Sequence, residues 1–391
     1  MLVSQNIKTI QFKPLQSKSF SPITRLGSVL ELSFDDLDAD NKEYQYKIEH
    51  MTHDWKPSNL IPSQYINGYE SDYINDVTNS FNTLQNYTHY RVTFPNSNTR
   101  ITKSGNYLVS VIDEDYNVVF SRRCVFYEET AMVGVSVQRG RDLKSINQTQ
   151  TVQFVIDQSN ITINNPQQEL NVVLFQNNNW NTAIYGLQPQ FFETNRLVYN
   201  YVQGTNFWGG NEFLNFDTKN IRNSSLTSSQ VIRKNIYHHY LYTDLPRVKR
   251  TYTYNPDING AFQIRTLESD TPDSEADYAM MHFSLKADLA NLSDKDLYIY
   301  GAFNNFELTE ENKMRYKAEA KLYEASILLK QGFYNYNYLT KSKVGKINYT
   351  EIDGSFFETE NEYTVIVYYK PFGEIYDRVI GVGNGFFNQN R

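Results

Sequence analysis

At 391 residues the chain is too long for a single hydrophobic core, so about two to four domains are expected. Its 37 Lys and Arg against 44 Asp and Glu leave a net charge of −7. With no long basic block, this argues against nucleic-acid binding and against adsorption to anionic membranes. The 31 Tyr and 24 Phe, with abundant Asn and with Gly at turn positions, favour half-buried strands over helices and predict an all-β protein.

Cys124, the one cysteine, cannot form an internal disulfide and sits in a strand-like run from Val118 to Phe126. It is expected to be a small buried hydrophobe in a fold held together by core burial. No segment approaches the roughly 18 consecutive apolar residues of a transmembrane helix. The strand-like runs are mostly shorter than the about 9 to 11 residues of a membrane β-barrel strand and are interrupted by charge, so direct membrane insertion is not expected.

In chain order, residues 1–129 form the first predicted β-sandwich. Strands are expected at Ile7 to Phe12, Val29 to Phe34, Tyr44 to Ile48, Tyr90 to Phe94, Tyr107 to Ile112 and Val118 to Phe126, separated by turn residues at immunoglobulin-like spacing. Leu30, Leu32 and Phe34 share one face of their strand, and that face should be core. Residues 130–250 form the second predicted sandwich, with runs such as Val133 to Val137, Thr151 to Asp157, Leu170 to Phe175 and Tyr237 to Tyr242 joined by Asn-, Ser- and Gln-rich turns. The basic Arg247-Val248-Lys249-Arg250 follows a proline and is expected to be a linker. Residues 251–391 form the third predicted sandwich. Within it Thr309 to Leu329 fits both a helical stripe and a strand alternation, and a loop or short helical turn followed by a strand is expected.

Candidate chemistry is sparse. Asp36, Asp38 and Asp40 have the spacing of the first calcium ligands of an EF-hand, but Asn41 stands where the loop needs Gly and Lys47 where it needs Glu, leaving a solvated acidic turn. Adjacent His238 and His239 point to opposite faces of a strand and cannot share a metal in the ordinary way. His50 and His53 flank Asp54 near Trp55 without supporting ligands. Glu358, Glu360 and Glu362 would alternate along a strand with α-carbons about 6.6 Å apart, which suits an acidic edge better than a glycosidase pair. No catalytic, cofactor or metal constellation emerges. Phe207 and Trp208, bracketed by Gly204, Gly209 and Gly210, are either a core plug or an exposed anchor, and are the candidate partner contacts.

The stretch from Trp55 to Val111 carries Trp55-Lys56-Pro57-Ser58, Ser63-Gln64-Tyr65-Ile66-Asn67-Gly68-Tyr69, Phe81-Asn82-Thr83-Leu84-Gln85-Asn86-Tyr87-Thr88-His89-Tyr90, Phe94-Pro95-Asn96-Ser97-Asn98-Thr99-Arg100 and Ser104-Gly105-Asn106-Tyr107-Leu108. This string closely resembles the signature of the plug proteins of the type IX secretion system. Gly27 to Asp36, Tyr46 to His50 and the block from Phe356 through Gly373 to Gly381 extend the resemblance to both ends of the chain. It implies a non-catalytic periplasmic protein at the inner face of the outer membrane. Its partner would be the large translocon β-barrel, alone or with accessory subunits, and it would seal the barrel's periplasmic opening when no substrate is in transit. Met1-Leu2-Val3-Ser4-Gln5 lacks the basic and apolar regions of an export signal, and the resemblance then implies a mature or recombinant start. Separately, Gly301-Ala302-Phe303-Asn304-Asn305-Phe306 and Gly332 to Tyr338 resemble early-set sandwich modules beside α-amylase-type domains, over Met281 to Tyr338. That makes a periplasmic carbohydrate-binding accessory protein the alternative, although Phe306 stands where glycan binders usually offer tryptophan.

Overall fold

The structure is a computed structural model and describes residues 4–15, 17–288, 292 and 294–387. The fold is all-β. In the first body, strands Ile7–Pro14, Leu30–Asp36, Thr88–Phe94 and Asp76–Asn79 form one sheet. The facing sheet is built from Ile23–Arg25, Val118–Tyr127, Gly105–Ile112, Gln45–Met51 and Ser71–Tyr73. Leu30, Leu32 and Phe34 are buried between the two sheets, as their alternation predicts. Phe34 stacks on Tyr90 at 5.1 Å and meets Phe120 edge-on at 5.1 Å, so aromatic contacts bind the two sheets into one core. Cys124 lies in that core as a free, buried thiol, and burial alone pushes its ionisation well above the ordinary range.

The boundary expected at residue 250 does not separate the remaining sheets. Strand Leu170–Gln176 pairs with Asn361–Tyr369, which pairs with Arg378–Phe387. The last two strands of the chain therefore complete the second sandwich, whose other sheet holds Met132–Arg139, Thr149–Asp157, Arg196–Tyr199 and Phe191–Glu193. Its core joins Val152, Phe154 and Ile156 to Tyr363, Val365 and Val367. Conversely, strands Leu214–Asp217 and Tyr237–Leu241, expected in the second sandwich, pair with Gly332–Ser342 and Tyr278–Leu285 of the third.

The third body is a ten-stranded sheet that curves so that strands Leu214–Asp217 and Gly332–Ser342 pack against strand Tyr278–Leu285. Phe216 and Tyr336 from one part meet Phe283 from the other at 5.7 and 5.2 Å between ring centroids. The ambiguous segment holds no helical turn: strand Lys313–Lys317 turns at Lys321, whose φ is 55°, into strand Leu322–Lys330. The strand alternation of Tyr323, Ala325 and Ile327, all buried, overrides the helical stripe because strand Tyr278–Leu285 gives each residue a ladder partner.

Candidate functional site

The three bodies are tied by buried polar groups rather than flexible linkers. Between the first and third, the Asp35 carboxylate is fully buried and accepts from Lys330 Nζ at 2.7 Å and from the Tyr278 hydroxyl at 2.6 Å, and His89 Nδ1 lies 2.7 Å away. Burial pushes the Asp35 carboxyl up, but Lys330 and His89 outweigh it and hold it below the usual carboxylate value. Lys330 also donates to the Asp273 carbonyl at 2.6 Å and lies 4.0 Å from the Tyr87 ring centre. Between the first and second, the Tyr368 hydroxyl donates to Asn106 Oδ1 at 2.7 Å, and Arg378 pairs with Glu128 at 2.6 Å. The apolar cluster of Val125, Val173, Ile366, Tyr368 and Val379 continues that seam.

Arg247 is not a linker residue. Its guanidinium donates to Asp353 at 2.8 Å, to the Glu212 carbonyl at 2.7 Å and to Asn337 at 2.9 Å, whereas Lys249 and Arg250 are exposed. Of the three basic residues in the run, only Arg247 is structural, because it alone reaches these buried acceptors.

Beside it, Glu212 accepts the Tyr252 hydroxyl and the Glu360 N–H, while Asp257 accepts the Phe213 and Asn259 N–H groups. Burial, with the charges of Glu212 and Glu360 adding to it, pushes the Asp257 carboxyl up to about 7. Burial likewise raises Glu212. A raised carboxyl keeps its proton when folded, so its stabilising contribution is present at acidic pH and is lost as pH rises from about 4 through about 7. The buried His50 and the half-buried His282, each lowered to about 4 chiefly by desolvation, pull the other way over the same range. The expected result is therefore a difference: Asp257→Asn gains of order 2 kcal/mol relative to wild type between pH 5 and 8, a figure reduced for solvent reaching this half-buried group. Denaturant midpoints across that range check it, and a pH-independent difference contradicts it.

The residues singled out in the sequence do not converge. Strand Asn206–Trp208 pairs with Thr149–Thr151, so alternation sends Phe207 inward against Tyr363, 5.1 Å between centroids, and Trp208 outward at 49% exposure. Phe207 is thus core and unavailable to a partner; Trp208 is on the surface. Glu358 and Glu360 precede the strand that begins at Asn361, so only Glu362 lies on it and the three do not form an alternating row. Asp36, Asp38 and Asp40 surround Lys42 Nζ, 2.9 Å from Asp36 and 3.5 Å from Asp40, and Asp36 is buried rather than solvated. An ammonium occupies the place a cation would take. His238 Nδ1 lies 2.8 Å from His282 Nε2, while His239 faces the opposite side and bonds the Ile221 carbonyl. His53 bonds Asp377 and His50 is buried beside the Ser104 carbonyl, so these two do not converge either. Among the described residues no group of three or more His, Cys, Asp or Glu could hold a metal ion. Phe306 is buried, which removes it as an exposed platform for sugar stacking.

Surface aromatics escaped the sequence reading. Phe372 is fully exposed in the turn between the last two strands, and Phe191 and Phe192 are both exposed on an edge strand. Pro371-Phe372-Gly373 was the available signal, because a phenylalanine at the tip of a Pro–Gly turn has no sheet face to cover it. No helix among the described residues is long and apolar enough to cross a membrane.

Residues 7–128 match the first domain of the type 9 secretion system plug protein. That span is the first sandwich, including the Trp55 to Val111 stretch. A crystal structure of a hypothetical protein from Parabacteroides merdae ATCC 43184 is 34% identical, with a TM-score of 0.94 over 98% of this chain and 98% of its own. No curated protein matches. With the plug signature in its first sandwich and that relative sharing its fold end to end, the chain belongs to the type IX secretion system plug protein family, and its role lies in type IX secretion.

Proposed function

We propose that the protein is a non-catalytic plug that occupies the periplasmic opening of the type IX outer-membrane translocon barrel and stops leakage when no substrate is in transit. The observation that carries this reading is the match of residues 7–128 to the plug family's first domain. The buried ties among the three bodies support it physically. A seal works by shape complementarity, so a body that flexed at its seams would open gaps around the rim, and the Asp35–Lys330 and Tyr368–Asn106 contacts oppose that flexing. In this reading the protein works in the periplasm against the inner face of the outer membrane, with the barrel, alone or with accessory subunits, as its partner.

The test is retention of the barrel from an outer-membrane extract on the tagged protein. A stable complex buries roughly 1,200–2,000 Å² or more, and exposed aromatics such as Trp208 and Phe372 are suited to anchor it. Trp208→Ala should weaken retention by about 2 kcal/mol or more while leaving the melting temperature unchanged, since the ring is already half in solvent. Failure of the unmodified protein to retain the barrel contradicts the reading.

A further inference from the structure

Where the three bodies meet, their packing leaves an opening. A cleft of about 410 Å³ lies among strands Ile7–Pro14 and Val118–Tyr127 of the first body, the turn at 178–181 of the second and the turn at 302–307 of the third. A second cleft of about 390 Å³ shares Ile10, Arg122, Phe262, Asn305 and Glu307 with it, so both open around Arg122. Each volume falls in the range of about 300–1,000 Å³ typical of small-ligand sites.

Arg122 is the unusual group. Its guanidinium donates to the Ser121 carbonyl at 3.0 Å and lies 5.5 Å from the Phe120 ring centre. Among the described residues no carboxylate forms an ion pair with it. Glu307, the acid that stabilises its charge from a distance, instead accepts the Asn305 amide at 2.9 Å. Burial pushes the Arg122 guanidinium down to about 10. The buried Lys330 and the largely buried Arg247 each touch a carboxylate. Arg122 is half-buried, and a charge partly withdrawn from water without a carboxylate partner is costly.

Its surroundings indicate the missing partner. Arg123, also without a carboxylate among the described residues, lies 4.6 Å from the Trp55 ring, and Lys13 borders the same cleft. The cleft is thus locally positive in a chain of net charge −7. The Trp55 indole N–H, on the cleft wall, is buried without an acceptor. Phe12, Phe262 and Phe306 form an apolar part of the wall, beside Asn178, Asn181 and Asn305. One planar guanidinium suits a carboxylate, and Glu307 on the same wall repels a monoanion less than a phosphate dianion.

We propose that this cleft binds a carboxylate carried on an apolar body, with Arg122 seating the carboxylate and the phenylalanine wall taking the body. The carboxylate is either a free organic acid or an acidic side chain flanked by apolar residues on an extended partner segment. The inference stands apart from the plug reading.

The chain has three tryptophans, and Trp55 and Trp180 both line the cleft, so a Trp208→Phe background makes indole fluorescence a cleft reporter. In that background, phenylacetate or the capped tripeptide acetyl-Phe-Glu-Phe-amide should give a saturable change, and phenylacetamide or the Gln tripeptide should not. Saturation by phenylacetate identifies a free acid as sufficient; saturation by the tripeptide alone identifies the side-chain source. Arg122→Met should weaken binding about tenfold or more, the loss expected of a charge-assisted hydrogen bond. It should keep or raise the melting temperature, because the unpaired charge is gone. Absence of saturation by both acids overturns the proposal, as does binding that the neutral amides match. If Arg122→Met does not fold, the acid-against-amide comparison on the Arg122 protein still decides the question.

Discussion

Lys330→Met should destabilise the protein by about 3–5 kcal/mol, because it leaves the Asp35 carboxylate buried beside Tyr278 and His89 with its main counter-charge removed. The methionine fills most of the stem's volume, so the loss is electrostatic rather than a cavity. It also removes the donor to the Asp273 carbonyl and the cation over Tyr87. Combining it with Asp35→Asn should recover most of the stability, since the amide oxygen can still accept from Tyr278, the amide N–H can donate to His89 Nδ1, and no buried carboxylate remains. Urea midpoints of the two single variants and the double variant measure the coupling. Additive losses, or a Lys330→Met cost below about 1 kcal/mol, would show that the network does not hold the first and third bodies together.

Gly383→Ala should cost about 1–3 kcal/mol or more, although Gly383 lies within a regular strand where alanine is normally tolerated. A Cβ there would stand 2.5 Å from the Val133 carbonyl oxygen and 2.8 Å from the Val133 side chain. Gly381 and Gly385, on the same face by strand alternation, meet Ala131 and Val135 at 2.5 Å. Together these glycines let strand Met132–Arg139 lie directly on the terminal strand. Backbone cannot move aside as a side-chain tip can, so the second sandwich must open. Gly134→Ala is the matched control: nothing lies within 4 Å of its added carbon, and the change should stay within about 0.5 kcal/mol. Equal effects at the two positions would refute the close-stacking account.

The contrast between Leu30 and Lys330 explains what could be read without a structure. Leu30, Leu32 and Phe34 announce a core face through local alternation, and Cys124 announces burial through its apolar neighbours. Alternation says that a side chain is covered, but not by what. Lys330 looks like an ordinary strand-end lysine until folding brings it to Asp35, 295 positions away. The same limit explains the misplaced boundary near residue 250. The strands from Asn361 to Phe387 carry the right pattern for a sheet, yet nothing local directs them back to the strand at Leu170. At the candidate surface, the Phe207-Trp208 pair was visible as a pair. Only its ladder with residues 149–151 decides which ring goes inward. Arg122 was invisible because an unpaired charge is defined by the acids that fail to reach it.

The proposed closure of the translocon is tested most directly by the outer-membrane permeability of cells lacking this protein. In a deletion strain with the barrel present and assembled, large hydrophilic antibiotics that normally cannot cross the outer membrane should enter, while secretion continues to a substantial degree. Restoring the wild-type chain should close the leak. Unchanged permeability in that strain, with the barrel's presence and assembly verified, would contradict the account.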